Sequence, residues 1–479
     1  MRQDDVPHDV LEQIFYIHVY TNFQSRLSLL QTCHKWYKVA INYASLWRTI
    51  SWNSDDQLPP FRVYCENIGA LARIVNRVGT GTFDLRLGCP YDDPSEEDIQ
   101  RFTSSVPQNW LSRCHSLSLY APEERWRVQD ATTLGDLLGT YSYDALERLE
   151  LIQTGTKMWE HMLHTLMIRV ESTSPGLRSL KISLDRERTH IVKCVLERPA
   201  ILKRLRSLDI RYLRRSVPWA DLPELEDLSF CDTVDDDMPL NDLCSRKLRK
   251  LTLGGRFRSL HLPQGICQQL THLTLKGLDL RNPFEVTLLK FPSLVSFGLK
   301  ATRFELKNIE APNLEDFMYQ FDPIVGRPYQ YPYFGNTTLT PRVTRLDILA
   351  DELDHAPFAL KLNVWSEVEE LHLTIYRSHD DIGSTLTDAL SRTTHQQPFP
   401  SLKKFTVLHP ADRDGSVAPE RKLKHVKNLQ KIAQNRRDSG WKDLEKLEVG
   451  WYSTNGNEFV IKDQSREWWV IVWKDCLEQ

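Results

Sequence analysis

The sequence predicts an α/β chain: an N-terminal unit of three short helices, then an irregular solenoid of short parallel strands with variable helical or loop returns. Three observations carry this. Leucine supplies 66 of the 479 residues, and 23 of them fall between 201 and 300, a local enrichment that points to a period. The pattern apolar-x-x-apolar-x-apolar recurs along the chain. The first fifty residues instead place their apolar side chains at helical spacing.

The repeat begins clearly at Cys114, Leu117, Leu119. It returns at Leu146, Leu177, Leu205, Leu225, Leu248, Leu270, Leu294, Leu314, Val343, Val368, Leu402 and Leu444. TFDLRLG, with Phe83, Leu85 and Leu87, is read as a first, partial copy. The last two apolar positions of each copy are two apart, so they share one side of a short strand. The residue three earlier enters the same core. A strand this short cannot bury its apolar side alone, so consecutive copies must stack. From Leu205 to Leu314 the steps are 20, 23, 22, 24 and 20 residues, within the span of leucine-rich repeats. Elsewhere the steps are longer and leave room for helices such as MWEHMLHTLMIRV at 158–170. PELEDL, PSLVSF, PNLEDF and PSLKKF are near-copies of one entry. The Asn or Cys that follows the strand in regular leucine-rich repeats is replaced by Thr233, Arg256 and Leu278, so the array is expected to be irregular and twisted.

Composition narrows the function. The chain is 41% hydrophobic and 26% charged, as in a folded soluble protein. A net charge of −3 gives no basic excess with which to displace counterions from nucleic acid, so no nucleic-acid partner is expected. The longest apolar run, WWVIVW at 468–473, is too short to span a bilayer, and MRQDDVPHD has no signal-peptide stretch; no membrane is expected. Nine widely spaced cysteines without a CxxC read as reduced thiols of the cytoplasm or nucleus.

At the N-terminus, Pro7 suits a first helical turn. Val10, Leu11, Ile14, Phe15 and Ile17 then recur at helical spacing. The apolar arc through Val19 spans roughly 200°, wider than a one-sided surface helix needs; one face can pack inward and the remainder needs another partner. A second helix is expected near Leu27–Gln31 and a third from Thr32 to about Tyr43, carrying Cys33, Trp36, Val39 and Ala40. SLWRTISW closes the unit with Leu46 and Trp47.

VPHDVLEQIF, then CHKW, then SLWRTI resembles an F-box over about residues 4–52. Val6 stands for the usual Leu and Asp9 near the usual Glu. LARIVNRVGTGTFDLRL and WLSRCHSLSL resemble the continuation of fungal F-box-like proteins with irregular leucine-rich repeats. The resemblance implies docking on the Skp adaptor, and through it on a cullin, within a ubiquitin ligase, while the C-terminal domain presents a protein substrate. Val6, Pro7, Leu11, Ile14 and Phe15 would face the adaptor; Cys33, Trp36 and Trp47 would lie in or beside the helical core. The alternative is a scaffold whose F-box-like helices only cap the open end of the repeats. The expected organisation is 1–52 F-box-like, 53–110 connecting helix and partial repeat, 111–453 leucine-rich-repeat solenoid, and 454–479 a C-terminal cap built around Trp468, Trp469 and Trp473.

No catalytic motif is present: GxSxG, GxxxxGKS/T and GxGxxG are absent. His161 and His164 lack a further ligand at metal spacing, and the acidic run Asp235–Asp237 lacks the Gly and Glu of a calcium loop. RYLRR at 211–215 reads as a rim of the strand face. The expectation is a binding subunit without catalysis, cofactor or metal. Its substrate surface is expected on the concave side of the strands, at Asp209, Arg211, Ser229, Cys231, Thr252, His272, Thr274, Lys276, Ser296 and Lys300.

Overall fold

The architecture is that of a computed structural model. It describes residues 6–21, 32–52, 63–65, 68–87, 96–107, 109–120, 138–152, 157–183, 195–211, 221–231, 240, 243, 245–255, 262–276, 289–301, 305–306, 309–321, 333–334, 343–350, 367–375, 399–410, 427, 433–434, 436–438, 440 and 444–452. The chain divides into two compact units, Met1–Leu225 and Glu226–Gln479.

The first unit opens with helices α1 (His8–Thr21) and α2 (His34–Asn42) and a 3-10 turn, Ala44–Trp47. The helix expected near Leu27–Gln31 lies outside the described residues. Seven strands follow: β1 (Thr49–Trp52), β2 (Val63–Cys65), β3 (Phe83–Leu87), β4 (Cys114–Tyr120), β5 (Arg148–Ile152), β6 (Ser179–Ser183) and β7 (Ser207–Arg211). They pair in parallel in the order β2-β1-β3-β4-β5-β6-β7. Helices α3 (Ile68–Arg77), α4 (Glu96–Ser105), α5 (Lys157–Thr173) and α6 (Pro199–Leu202) form returns. The 17-residue α5 fills the long step where a helix was expected, and buries Leu163, Leu166, Met167 and Val170.

The second unit holds β8 (Asp227–Cys231), β9 (Lys250–Gly254), α7 (Gln264–Gln269), β10 (His272–Lys276), β11 (Leu289–Lys290), β12 (Ser296–Ala301), β13 (Glu305–Leu306), β14 (Ile309–Glu310), β15 (Asp316–Phe321), β16 (Tyr333–Phe334), β17 (Arg345–Ala350), β18 (Glu370–Ile375), β19 (Lys404–Pro410) and β20 (Lys446–Tyr452). Its main sheet runs β8-β9-β10-β12-β15-β17-β18-β19-β20, while β11 pairs β14 and β13 pairs β16. All these pairings are parallel.

Each repeat copy from Cys114 onward carries a strand over its last two apolar positions. Leu251 on β9 registers with Leu273 on β10, Phe297 on β12 and Phe317 on β15, and all four are buried. The Phe297 and Phe317 rings lie 5.5 Å apart. The near-copies PELEDL, PSLVSF, PNLEDF and PSLKKF owe their proline to the entry turn. Amides of Leu225, Leu294, Leu314 and Leu402 donate to the carbonyls three residues back, at Leu222, Phe291, Ala311 and Phe399. Proline fits the second position of such a turn because its φ is already set.

Stacking does not need the missing asparagine. At each strand entry one carbonyl accepts two amides of the next repeat: Arg249 and Lys250 donate to Glu226, Thr271 and His272 to Arg249, Val295 and Ser296 to Thr271. The same step recurs through Glu315, Thr344, Glu369 and Lys403 to Glu445 and Lys446. The backbone itself satisfies its polar groups between repeats, which leaves the loop after the strand free to vary.

The sheet also begins earlier than the Phe83 copy. β1 sits between β2 and β3, with Ile50 opposite both Val63 and Leu85. The boundary expected after residue 52 therefore follows a strand that belongs to the sheet. The C-terminal cap expected at 454–479, with its tryptophans, lies outside the described residues.

Candidate functional site

Two surfaces merit attention: the outer side of the N-terminal helices, and the strand-lined face of each unit.

At the N-terminus the Leu11 amide donates to the Pro7 carbonyl at 3.1 Å, and Lys35 Nζ donates to the Val6 carbonyl at 3.0 Å. Leu11 and Phe15 are fully buried, and the Phe15 ring meets Trp36 with centroids 5.1 Å apart. In the free chain these two cannot contact an adaptor; they build the helical core, which corrects the expectation for them. Their helical neighbours do the opposite. Val10 and Ile14 stay 41% and 39% exposed, at i and i+4 on one face. Pro7 is exposed and Val6 half-buried. Tyr37 on α2 is exposed too. Val10 and Tyr37 were not among the expected contact residues. The spacing of Val10 to Ile14 could have revealed the first; nothing in the sequence marks the second.

The three expected core residues take different roles. Cys33 is half-buried and caps α2, its Sγ accepting from the Trp36 amide at 3.5 Å. Trp36 is half-buried. Trp47 is buried, donates from Nε1 to the Ala40 carbonyl at 2.9 Å, and lies under the Arg77 guanidinium at 4.8 Å. Trp47 thereby joins the helices to α3 and the start of the sheet.

On the strand face of the first unit, Asp209 pairs with Arg211 at 3.5 Å, and the middle register row runs Ser118, Glu150, Lys181, Asp209. Ser118 Oγ donates to Glu150 at 2.9 Å, and Lys181 lies 4.0 Å from Glu150. Of RYLRR, only Arg211 is described.

On the face of the second unit, Ser229, Thr252 and Thr274 share one register row; all three are half-buried, while His272 and Lys276 are exposed. The row continues through Gly298. Lys300 registers with Lys276, and Ser296 with His272. Cys231 registers with Gly254 on β9, where a Cβ would meet Cys231 Sγ at 2.6 Å. Further along, β17 to β20 carry charges that neutralise one another. Arg345 meets Asp347 at 3.4 Å, and His372 lies 3.9 Å from both Asp347 and Glu370. Lys404 bonds Glu370, Lys403 bonds Glu369, and Lys446 pairs with Glu448. Lys404 holds the Glu370 carboxyl below its ordinary value, and burial pushes the His372 imidazole down.

Reactive chemistry finds no support here. Burial pushes the Cys114 thiol far up and the Cys267 thiol up to about 12, so neither supplies a thiolate near neutrality. Among the described residues no His, Cys, Asp and Glu group is placed to hold a metal, and no helix is long and apolar enough to cross a membrane. His164 is exposed on α5; the His161 side chain and the Asp235–Asp237 run lie outside what is described.

These surfaces and the register define a protein-interaction chain: parallel leucine-rich repeats behind a small helical N-terminus. Residues 3–51 match the F-box-like family model. No curated protein matches the chain. Among solved structures, a leucine-rich-repeat protein of Leptospira interrogans is similar at 12% identity and a TM-score of 0.26, covering 76% of this chain and 90% of that one. The repeat architecture stands on the strand register above rather than on that likeness.

Proposed function

We propose that this chain is a substrate-recognition subunit of a Skp–cullin–F-box ubiquitin ligase. Its N-terminal helices dock the Skp adaptor, and through it a cullin, and its strand face binds a protein substrate in the cytoplasm or nucleus. The chain contributes binding and no catalytic step. The observation that carries the reading is the split of α1: Leu11 and Phe15 close the helical core while Val10 and Ile14, beside exposed Pro7, remain turned to water. An apolar pair left outside a satisfied core is a surface kept for a partner. Within the F-box-like segment the adaptor is that partner. Of the contact residues carried over from the family, Val6, Pro7 and Ile14 stay in this role, and Val10 joins them.

A second reading is favoured by Trp47 on Arg77 and by β1 within the sheet: a scaffold in which the helices only seal the repeats. Co-purification separates the two. Tagged chain at near-endogenous level should recover the adaptor and a cullin. Recovery of neither rejects the ligase subunit and leaves the scaffold.

A further inference from the structure

The strand-end register row of the second unit runs from Cys231 on β8 to Gly450 on β20. It carries charge at two positions only, Lys276 and Lys300, and these are direct neighbours on β10 and β12. Like charges placed opposite one another on adjacent strands are unfavourable. Elsewhere on the same sheet charges are compensated: the β17–β20 region pairs Arg345 with Asp347, Lys404 with Glu370 and Lys446 with Glu448. Beside the lysines the row offers only Gly254 and Gln320. Lys276 is exposed and has no ion-pair partner among the described residues. The carboxylates at strand positions near it, Asp227 and Asp316, belong to the opposite, strand-start row, on β8 and β15.

The neighbouring middle row is uncharged over the same strands. Thr252 and Thr274 present hydroxyls, and Gly298 follows them, where a Cβ would stand 3.2 Å from both Thr274 Oγ1 and Cγ2. The absent side chain leaves low relief next to a donor and acceptor, which suits close approach of another backbone.

We infer that an acidic segment of extended polypeptide lies across β9, β10 and β12, its carboxylates over Lys276 and Lys300 and its backbone over Thr252, Thr274 and Gly298. This rests on the substrate-receptor reading and names the chemistry of the substrate. Charge complementarity of this kind sets partner choice and association rate, and it weakens with salt because exposed charges are screened beyond about 10 Å at 0.1 M.

The test uses the full chain and a fluorescein-labelled peptide alternating Glu with Ser and Gly, followed by anisotropy at low and raised salt. A Lys-for-Glu version of the peptide is the control ligand. Binding of the Glu peptide should weaken with salt, and K276E/K300E should lower its affinity by about tenfold or more. K404E/K446E, on the self-compensated end of the same sheet, should change it far less. No saturable binding of the Glu peptide overturns the inference, as does equal loss in both reversals or equal affinity for the Lys peptide. Adaptor co-purification, measured on the same preparations, is unaffected by these outcomes, so failure here is distinguishable from failure of the receptor reading.

Discussion

Truncating the outward pair on α1, Val10→Ala with Ile14→Ala, should weaken adaptor binding while leaving the protein folded. The two side chains keep 41% and 39% of their surface in water. Full burial of such a side chain is worth about 1.5–3 kcal/mol. Covering the remaining two-fifths of each therefore contributes roughly 0.6–1.2 kcal/mol, and both together about 1.2–2.4 kcal/mol. At about 1.4 kcal/mol per decade, that is a loss of about 7- to 50-fold in affinity. Alanine is the better helix former, so α1 itself should not suffer. Leu11→Ala provides the contrast: it empties a fully buried site and should cost about 2–5 kcal/mol of stability in the helical unit. Calorimetric titration with purified adaptor, beside thermal melts of each variant, reads both quantities. If the V10A/I14A protein binds as tightly as wild type with an unchanged melt, the outward face is not the docking surface and the argument from its exposure fails.

Three further outcomes follow from the sheet. Leu273 is buried and Thr274 beside it only half so, so Leu273→Ala should lose about 2–5 kcal/mol and Thr274→Ala well under about 1 kcal/mol in denaturant melts; equal losses would mean the strand is out of register. Gly254→Ala should cost about 1–3 kcal/mol by overpacking, because the new Cβ would meet Cys231 Sγ at 2.6 Å; a Cys231→Ala partner change should restore most of it, and additive losses in the double-mutant cycle would assign the strain elsewhere. Burial holds the His372 imidazole below its ordinary value against the pull of Asp347 and Glu370, so the unfolded chain binds more protons and stability falls as pH drops through about 6.5. His372→Gln should flatten that decline between pH 7 and 5, and an unchanged slope would remove His372 as its source.

The strands from Cys114 to Tyr452 were legible because a core position tolerates little: Leu-x-x-Leu-x-Leu states both the strand and its inward side. β1 and β2 were not, since TISW and VYC are too short to show the pattern and their place is set by pairing with β3. On α1 the wide apolar arc announced two partners without saying which residues served which. Leu11 and Phe15 went inward because Trp36 stands opposite them across the helix pair, a tertiary fact with no local signature. Cys33 looked like a core residue and is a cap, because a thiol at the residue before a helix can accept from the Trp36 amide and so substitutes, weakly, for the hydroxyls usual there. The candidate surface residues were placed correctly on the strands. What one copy of the repeat could not show is the balance of charge along a row, since a row is made of one residue from each strand and exists only once the register is set.

That same dependence on pairing bears on where the N-terminal segment ends. Removing residues 1–52 would take β1 from between β2 and β3, and with it Ile50, fully buried, and Trp47, buried under Arg77. Loss of a buried isoleucine alone is worth about 2–5 kcal/mol, before the unpaired edges of β2 and β3 are counted. A shorter deletion of residues 1–47 keeps all of β1 and its Ile50. The longer deletion should therefore unfold at clearly lower denaturant than the shorter one, by circular dichroism on matched proteins. If both melt together, β1 adds nothing to the sheet and the F-box-like segment is a detachable module. If the longer one is weaker, the segment is continuous with the repeats. Trp47 and β1 then hold the docking helices against the first unit without a flexible linker, so a docked adaptor has a set orientation on that unit.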